Sequence, residues 1–198
     1  MKKYILLLII PLLSFGQSNR KFNNFYQQGL ELKKEKKYEQ AIKKFNAAFQ
    51  INKHSWEAAL NIALIYGYDL KKYPQALEFV EMGLVLQPKN ALFYRLRADI
   101  YLIQEKYKLA LLNYNEAISY YNEEEKGGVY NNRAYCKKML GDNTICDDFE
   151  KACSLGEKFG CKNYRNHICE VDGQYNPNLY KYYLKINENT IVKNHGFF

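Results

Sequence analysis

Polar and apolar positions follow a helical period along most of this chain, and the pattern itself recurs. In Tyr38-Glu39-Gln40-Ala41-Ile42-Lys43-Lys44-Phe45-Asn46-Ala47-Ala48, the residues Ala41, Phe45 and Ala48 stand at i, i+4 and i+7. That spacing puts them on one face of a helix, with Tyr38 leading them. Tyr73 is followed in the same way by Ala76, Val80 and Gly83, and Tyr107 by Ala110, Tyr114 and Ala117. A copy without the leading aromatic gives Ile145, Phe149 and Ala152. The first members, 41, 76, 110 and 145, are 35, 34 and 35 apart. A fixed period in this range means stacked helical hairpins, because one hairpin cannot bury its apolar face alone.

The predicted fold is therefore all-α: a right-handed superhelix of antiparallel helix hairpins, about four repeats, then a capping helix and an irregular tail. The repeats fall at about 22–55, 56–90, 91–124 and 127–156, and the cap helix at 157–169, all within a domain over 17–169. In the first repeat, helix A is expected near Phe25 to Lys34 and helix B from Tyr38 to Ile51, with Lys36-Lys37 in the turn. The second repeat carries one extra residue between its helices, around Gly67-Tyr68-Asp69-Leu70, and ends at the helix stop Leu86-Gln87-Pro88-Lys89-Asn90. The stretch Tyr120 to Gly128 reads as a loose joint.

These residues resemble the tetratricopeptide repeat, a helical hairpin of about 34 residues. In that family small residues let the helices approach and large ones fill between them. Gly29, Ala41 and Ala48 match the small set in the first repeat, and Phe25, Leu32, Tyr38 and Phe45 the large set. Gln28 and Lys53 depart from it, standing at an apolar slot and at the usual proline. Matching positions cover roughly 22–156. The resemblance specifies a fold and is nearly silent on the ligand.

It also implies which side chains look into a binding groove. They are Tyr26, Leu30, Lys33 and Lys34 in the first repeat, and Leu60, Asn61, Leu64 and Tyr68 in the second. The third offers Arg95, Asp99 and Leu102, and the fourth Asn131, Tyr135 and Lys138. Some family members clamp a terminal carboxylate with lysines, asparagines and an arginine. Here Tyr26, Leu30, Leu92 and Leu96 occupy four of those slots and only Asn61 fits, so that clamp is not expected.

The first sixteen residues differ from the rest. Met1-Lys2-Lys3 precedes an apolar run from Tyr4 to Leu13, then Ser14-Phe15-Gly16. A basic start, a short apolar stretch and small residues before a cut predict a cleaved signal over 1–16. The run is shorter than the roughly 20 residues a bilayer span needs. The expected location is outside the cytoplasm, periplasmic or secreted, with no integral membrane segment after cleavage. The net charge of +8 drops by two with Lys2 and Lys3. The remaining lysines scatter around helix faces, as in Lys33-Lys34-Glu35-Lys36-Lys37, without the aromatic interleaving of a nucleic-acid module, and no nucleic acid is expected.

Five cysteines, Cys136, Cys146, Cys153, Cys161 and Cys169, lie in the C-terminal third. They form neither a C-x-x-C pair nor paired thiolates at zinc spacing. In an exported chain disulfides are the default. Connectivity cannot be read from spacing alone. Helix geometry narrows it, because Cys146 and Cys153 share one helix face, Cys161 and Cys169 the next, and Gly156 turns the chain between them. Partners across an antiparallel hairpin keep a nearly constant sum of residue numbers. Cys153–Cys161 and Cys146–Cys169 meet that condition within one, and they are the expected pairs among those that four cysteines allow. Cys136 is left over, as a small buried residue or a thiol.

Catalytic chemistry finds no constellation. His54, His167 and His195 are far apart and lack partners at ligand spacing, so no metal is expected. There is no G-x-S-x-G and no phosphate loop, and Asp147-Asp148 and Glu123-Glu124-Glu125 read as solvated charge. No cofactor and no enzyme activity are expected. The chain reads as a non-catalytic scaffold that holds a protein or peptide. The alternatives are a structural cell-envelope or self-association module, possible as a homo-oligomer, and an accessory protein using the Cys136 thiol. The tail 170–198 has no repeat pattern; Tyr180 to Ile186 suits a short strand or helix.

Overall fold

The computed structural model describes the backbone of residues 3–163 together with Cys169, and side chains from Gln17 onward. The side chains of the expected signal, the end of the expected cap helix with His167, and the tail with His195 lie outside the described residues.

The described elements are all helical. They are α1 (Lys3–Lys34), α2 (Tyr38–Ile51), α3 (Trp56–Leu64), α4 (Tyr73–Leu86), α5 (Ala91–Ile103), α6 (Tyr107–Tyr120), α7 (Gly127–Met139), α8 (Ile145–Ser154) and α9 (Lys158–Asn163). A π turn, Ile65–Asp69, continues α3, and a 3₁₀ turn, Glu123–Glu125, precedes α7. The chain divides into two compact units, Met1–Pro88 and Lys89–Phe198. In the first, α1 packs on α2 and α3 on α4; in the second, α5 packs on α6 and α7 on α8. Each pair is an antiparallel hairpin of the expected period.

The repeated triplets form the buried seams. Ala41, Phe45, Ala48, Ala76, Val80, Ala110, Tyr114, Ala117, Ile145 and Ala152 have no exposed surface, and Phe149 almost none. Small residues are needed there because the backbones nearly touch. A Cβ on Gly160 of α9 would lie 2.4 Å from that of Ala152 on α8.

One device recurs at the ends of α1, α5, α7 and α8. The Lys37 amide donates to the Leu32 carbonyl at 2.8 Å, Lys106 to Tyr101 at 2.8 Å, Asp142 to Lys137 at 2.9 Å and Glu157 to Ala152 at 2.9 Å. Each bond reaches five residues back across a left-handed residue, the Schellman closure of a helix end. The left-handed residues are Lys36, Glu105, Gly141 and Gly156. The second hairpin carries its extra residue inside the helix. Leu70 donates five residues back to Ile65, making the π turn, and Lys72 reaches six residues back to Tyr66 at 2.7 Å, with Lys71 left-handed. A single inserted residue is accommodated in this way without breaking the closure.

Two expectations need correction. Helix α1 does not begin near Phe25 but runs from Lys3, and its Phe22 ring stacks on Tyr26 at 5.8 Å. The stretch Tyr120 to Gly128 is not a loose joint. The 3₁₀ turn is tied by Lys126 Nζ to Glu123 Oε1 at 2.6 Å, and Gly127 is buried, where a Cβ would meet Glu157 at 3.2 Å.

Candidate functional site

The helices named A present the residues of interest: α1 and α3 in the first unit, α5 and α7 in the second. In the first unit three of them converge. Lys33 Nζ donates to Asn61 Oδ1 at 3.1 Å, and Asn61 Nδ2 donates to Tyr26 Oη at 3.0 Å and to the Glu57 carbonyl at 3.0 Å. The Glu57 bond lies one turn back along α3 and fixes the amide plane. Asn61 thus holds Tyr26 and Lys33, one on each end of its amide, on half-buried ground.

Burial lowers the Lys33 pKa, and the nearby Asp69 charge partly offsets this. Burial raises the Tyr26 pKa, with the Glu57 charge adding to it and the Asn61 bond opposing it. Among the described residues neither Tyr26 nor Lys33 has an acceptor for its remaining hydrogens. Leu30 packs with Tyr26 against Ile62 and Ile65, so it serves the core as well as the surface. Leu64 and Tyr68 are half-buried, Tyr68 within the π turn.

In the second unit the corresponding face is a closed polar network. Asp99 is buried, and its Oδ1 accepts from Tyr114 Oη at 2.5 Å and from Asn132 Nδ2 at 3.2 Å. Arg95 Nε lies 3.7 Å from its Oδ2. Asn131 Nδ2 donates to Asn132 Oδ1 at 3.5 Å, and Asn163 Nδ2 of α9 donates to Asn131 Oδ1 at 3.2 Å. Tyr135 meets Tyr107 edge-on at 6.3 Å between centroids. Burial pushes the Lys138 ammonium down to about 7. Asp99, expected on an open face, is the hub of this network.

Three polar partners here escaped the sequence reading, which took Tyr114 only as a seam residue. Asn132 and Tyr114 bind Asp99, and Arg133 binds Asp148. Asp148 is not solvated, as its neighbour Asp147 is. It is buried, with Arg133 Nε at 2.8 Å, Arg133 Nη2 at 2.5 Å and Lys137 Nζ at 3.1 Å. Arg133 and Lys137 lie one turn apart, and Asp148 follows Arg133 by fifteen residues across the hairpin. The spacing between Asp99 and Tyr114 is the same, and that recurrence was the available signal.

The cysteine sulfurs stand at bonding distance in two pairs. Cys153 and Cys161 have Cα atoms 4.2 Å apart, and Cys146 and Cys169 have theirs 5.5 Å apart. Cys136 is free and buried, and burial pushes its thiol up to about 12, with the Asp99 charge adding to the effect. Among the described residues no group of three His, Cys, Asp or Glu side chains could hold a metal ion, and no helix is long and apolar enough to cross a membrane.

The tetratricopeptide repeat model matches residues 32–100. No curated protein sequence matches the chain. Among solved structures, the chain is similar to pilF of Pseudomonas aeruginosa at 21% identity, with a TM-score of 0.59, over 70% of this chain and 63% of that one. The chain therefore spans less than two thirds of that protein's length. It is similar to the MamA protein at 14% identity, with a TM-score of 0.63, over 91% of this chain and 98% of that one. It is also similar to the first TPR of Spaghetti (RPAP3), solved bound to the HSP90 peptide SRMEEVD, at 19% identity and a TM-score of 0.57, over 62% and 95%. Identities this low establish the fold alone. Residues 32–100 carry the tetratricopeptide sequence signature, and the chain shares its helical-repeat fold with these structures.

Proposed function

We propose that this chain is a non-catalytic scaffold, exported to the periplasm or secreted, that holds a protein or peptide against the A helices of its repeats. The observation that carries the reading is the convergence of Tyr26, Asn61 and Lys33. An amide fixed by the backbone presents a phenol and an ammonium side by side, with hydrogens still to donate. The ground is partly apolar, since Leu30 packs on the same cluster as Tyr26. That combination suits an extended peptide with an acceptor group, a carboxylate above all, because charge-assisted bonds strengthen where water is partly excluded. The RPAP3 domain, of the same fold, was solved with a peptide containing two glutamates and an aspartate. The two cysteine pairs and the basic-then-apolar start support export, since disulfides persist in oxidising compartments.

The test is capture of partners from the native envelope by the oxidised protein, comparing Lys33→Glu with Asn61→Ala against Lys43→Glu on the exposed side of α2. Loss with the first two and retention with the third supports the reading. Equal capture by all three overturns it.

A second reading, self-association, is favoured by Leu112 and Leu109, which are 61% and 43% exposed on α6. Sedimentation of Leu112→Glu against the parent separates the two. A thiol-based role is disfavoured by the burial of Cys136.

A further inference from the structure

The polar network of the second unit does not end at its A helices. It runs from Tyr114 and Arg95 through Asp99, Asn132 and Asn131 to Asn163 on α9. The described part of α9 is Lys158–Asn163. What holds α9 is its seat on α8 at Gly160, the Glu157 carboxylate accepting from the Phe159 amide at 3.1 Å, and the Cys153–Cys161 bond. The two disulfides differ in access. Cys146 and Cys169 are buried with Ala134, Ile145 and Phe149, whereas Cys153 and Cys161 are partly exposed.

We infer that the Cys153–Cys161 disulfide is a redox latch on the A-helix face of the second unit. Oxidised, it keeps α9 seated, Asn163 holds Asn131, and Arg95, Asp99 and Asn132 keep one arrangement. A dithiol reductant opens it. One reductant thiolate attacks a sulfur of the pair, forming a mixed disulfide and releasing the other cysteine as thiolate, which takes a proton. The second reductant thiol loses its proton and attacks the first reductant sulfur. The remaining cysteine leaves as thiolate and is protonated, and the reductant departs as a cyclic disulfide. Two electrons and two protons have then passed to the pair. The more buried Cys146–Cys169 bond reacts later, so Cys169 stays tied to α8 while α9 releases Asn131.

This inference goes beyond the binding reading and needs no partner for its test. The full chain is labelled with ¹⁵N and the side-chain amide signals of Asn131 and Asn132 are followed in three forms: oxidised parent, Cys153→Ser with Cys161→Ser, and Asn163→Ala. The expected result is moved signals and severalfold faster solvent exchange for both asparagines in both variants. The Asn61 amide of the first unit serves as the unmoved reference. The Asn163→Ala chain keeps both disulfides, so its result does not depend on the cysteine variant folding well. Parent-like Asn131 and Asn132 signals in the cysteine variant, or in Asn163→Ala, overturn the latch.

Discussion

Gly29 of α1 faces the ring of Phe45 on α2 so closely that a Cβ added at Gly29 would lie 2.7 Å from the ring. Phe45 has no exposed surface and meets Tyr26 edge-on at 5.5 Å, so it has little room to yield. Gly29→Ala is expected to lower stability by about 1–3 kcal/mol, the usual cost of overpacking, although alanine is the better helix former. Urea unfolding followed by circular dichroism measures it. Unchanged stability would mean that the ring moves freely.

The left-handed turn residues predict gains. Lys36, Lys71 and Glu105 have φ of 59°, 54° and 58°, where a side chain costs about 1–2 kcal/mol. Glu105→Gly is expected to raise stability, by ~1 kcal/mol at most, because glycine relieves the strain but loses more chain entropy. Gly141→Ala, at φ 75° with nothing within 4 Å of an added Cβ, is expected to lose a similar amount through the backbone alone. Thermal melts of the two variants should move in opposite directions.

Arg133 and Asp148 form a forked ion pair that Lys137 joins and Asn115 supports by accepting from Arg133 Nη1 at 2.9 Å. Removing the carboxylate leaves two cations partly buried without it. Asp148→Leu should cost about 3 kcal/mol, and adding Arg133→Met should recover much of that, since a broken buried pair costs more than an absent one. The double-mutant cycle, read by urea unfolding, gives the coupling. Additive losses would contradict this account.

The Cys136 thiol predicts a pH dependence. Its ordinary pKa is 9.0 and the fold raises it to about 12. Below 9.0 the group is a neutral thiol in both folded and unfolded chains and contributes no slope. Between 9.0 and about 12 the unfolded chain releases the proton and the folded one keeps it. Stability therefore falls as pH rises through this window, by roughly 1.4 kcal/mol per pH unit. The parent should lose stability faster than Cys136→Ala above that lower limit, with parallel curves below it. At pH 8 a thiol reagent should label Cys136 only after denaturation; rapid labelling of the native chain would refute the buried assignment.

The hairpins were legible because their small and large seam residues recur at a local period, although the seams also pack on the next hairpin, as Phe45 does with the cluster of Ile62 and Ile65. Ala41, Phe45 and Ala48 needed no distant information. Cys153 and Cys161 flank a single turn and were legible for the same reason. Lys33 and Asn61 were named as face residues, but that one holds the other at 3.1 Å depends on how the α1–α2 and α3–α4 hairpins stack. Asp147 and Asp148 are adjacent in sequence and chemically identical. One is exposed and the other is enclosed by Arg133 and Lys137, because a rotation of about 100° along α8 separates them.

The order of residues by itself determined the helical class, the repeat length, the seams and the pairs of cysteines that could meet, since each follows from chain-local geometry. The tertiary structure alone decided that Asp99 closes inward upon Tyr114 and Asn132, and that Asn163 of α9 reaches Asn131 of α7. Hydrogen bonds between elements depend on ångström-scale approach, and no periodicity of residue types encodes a distance.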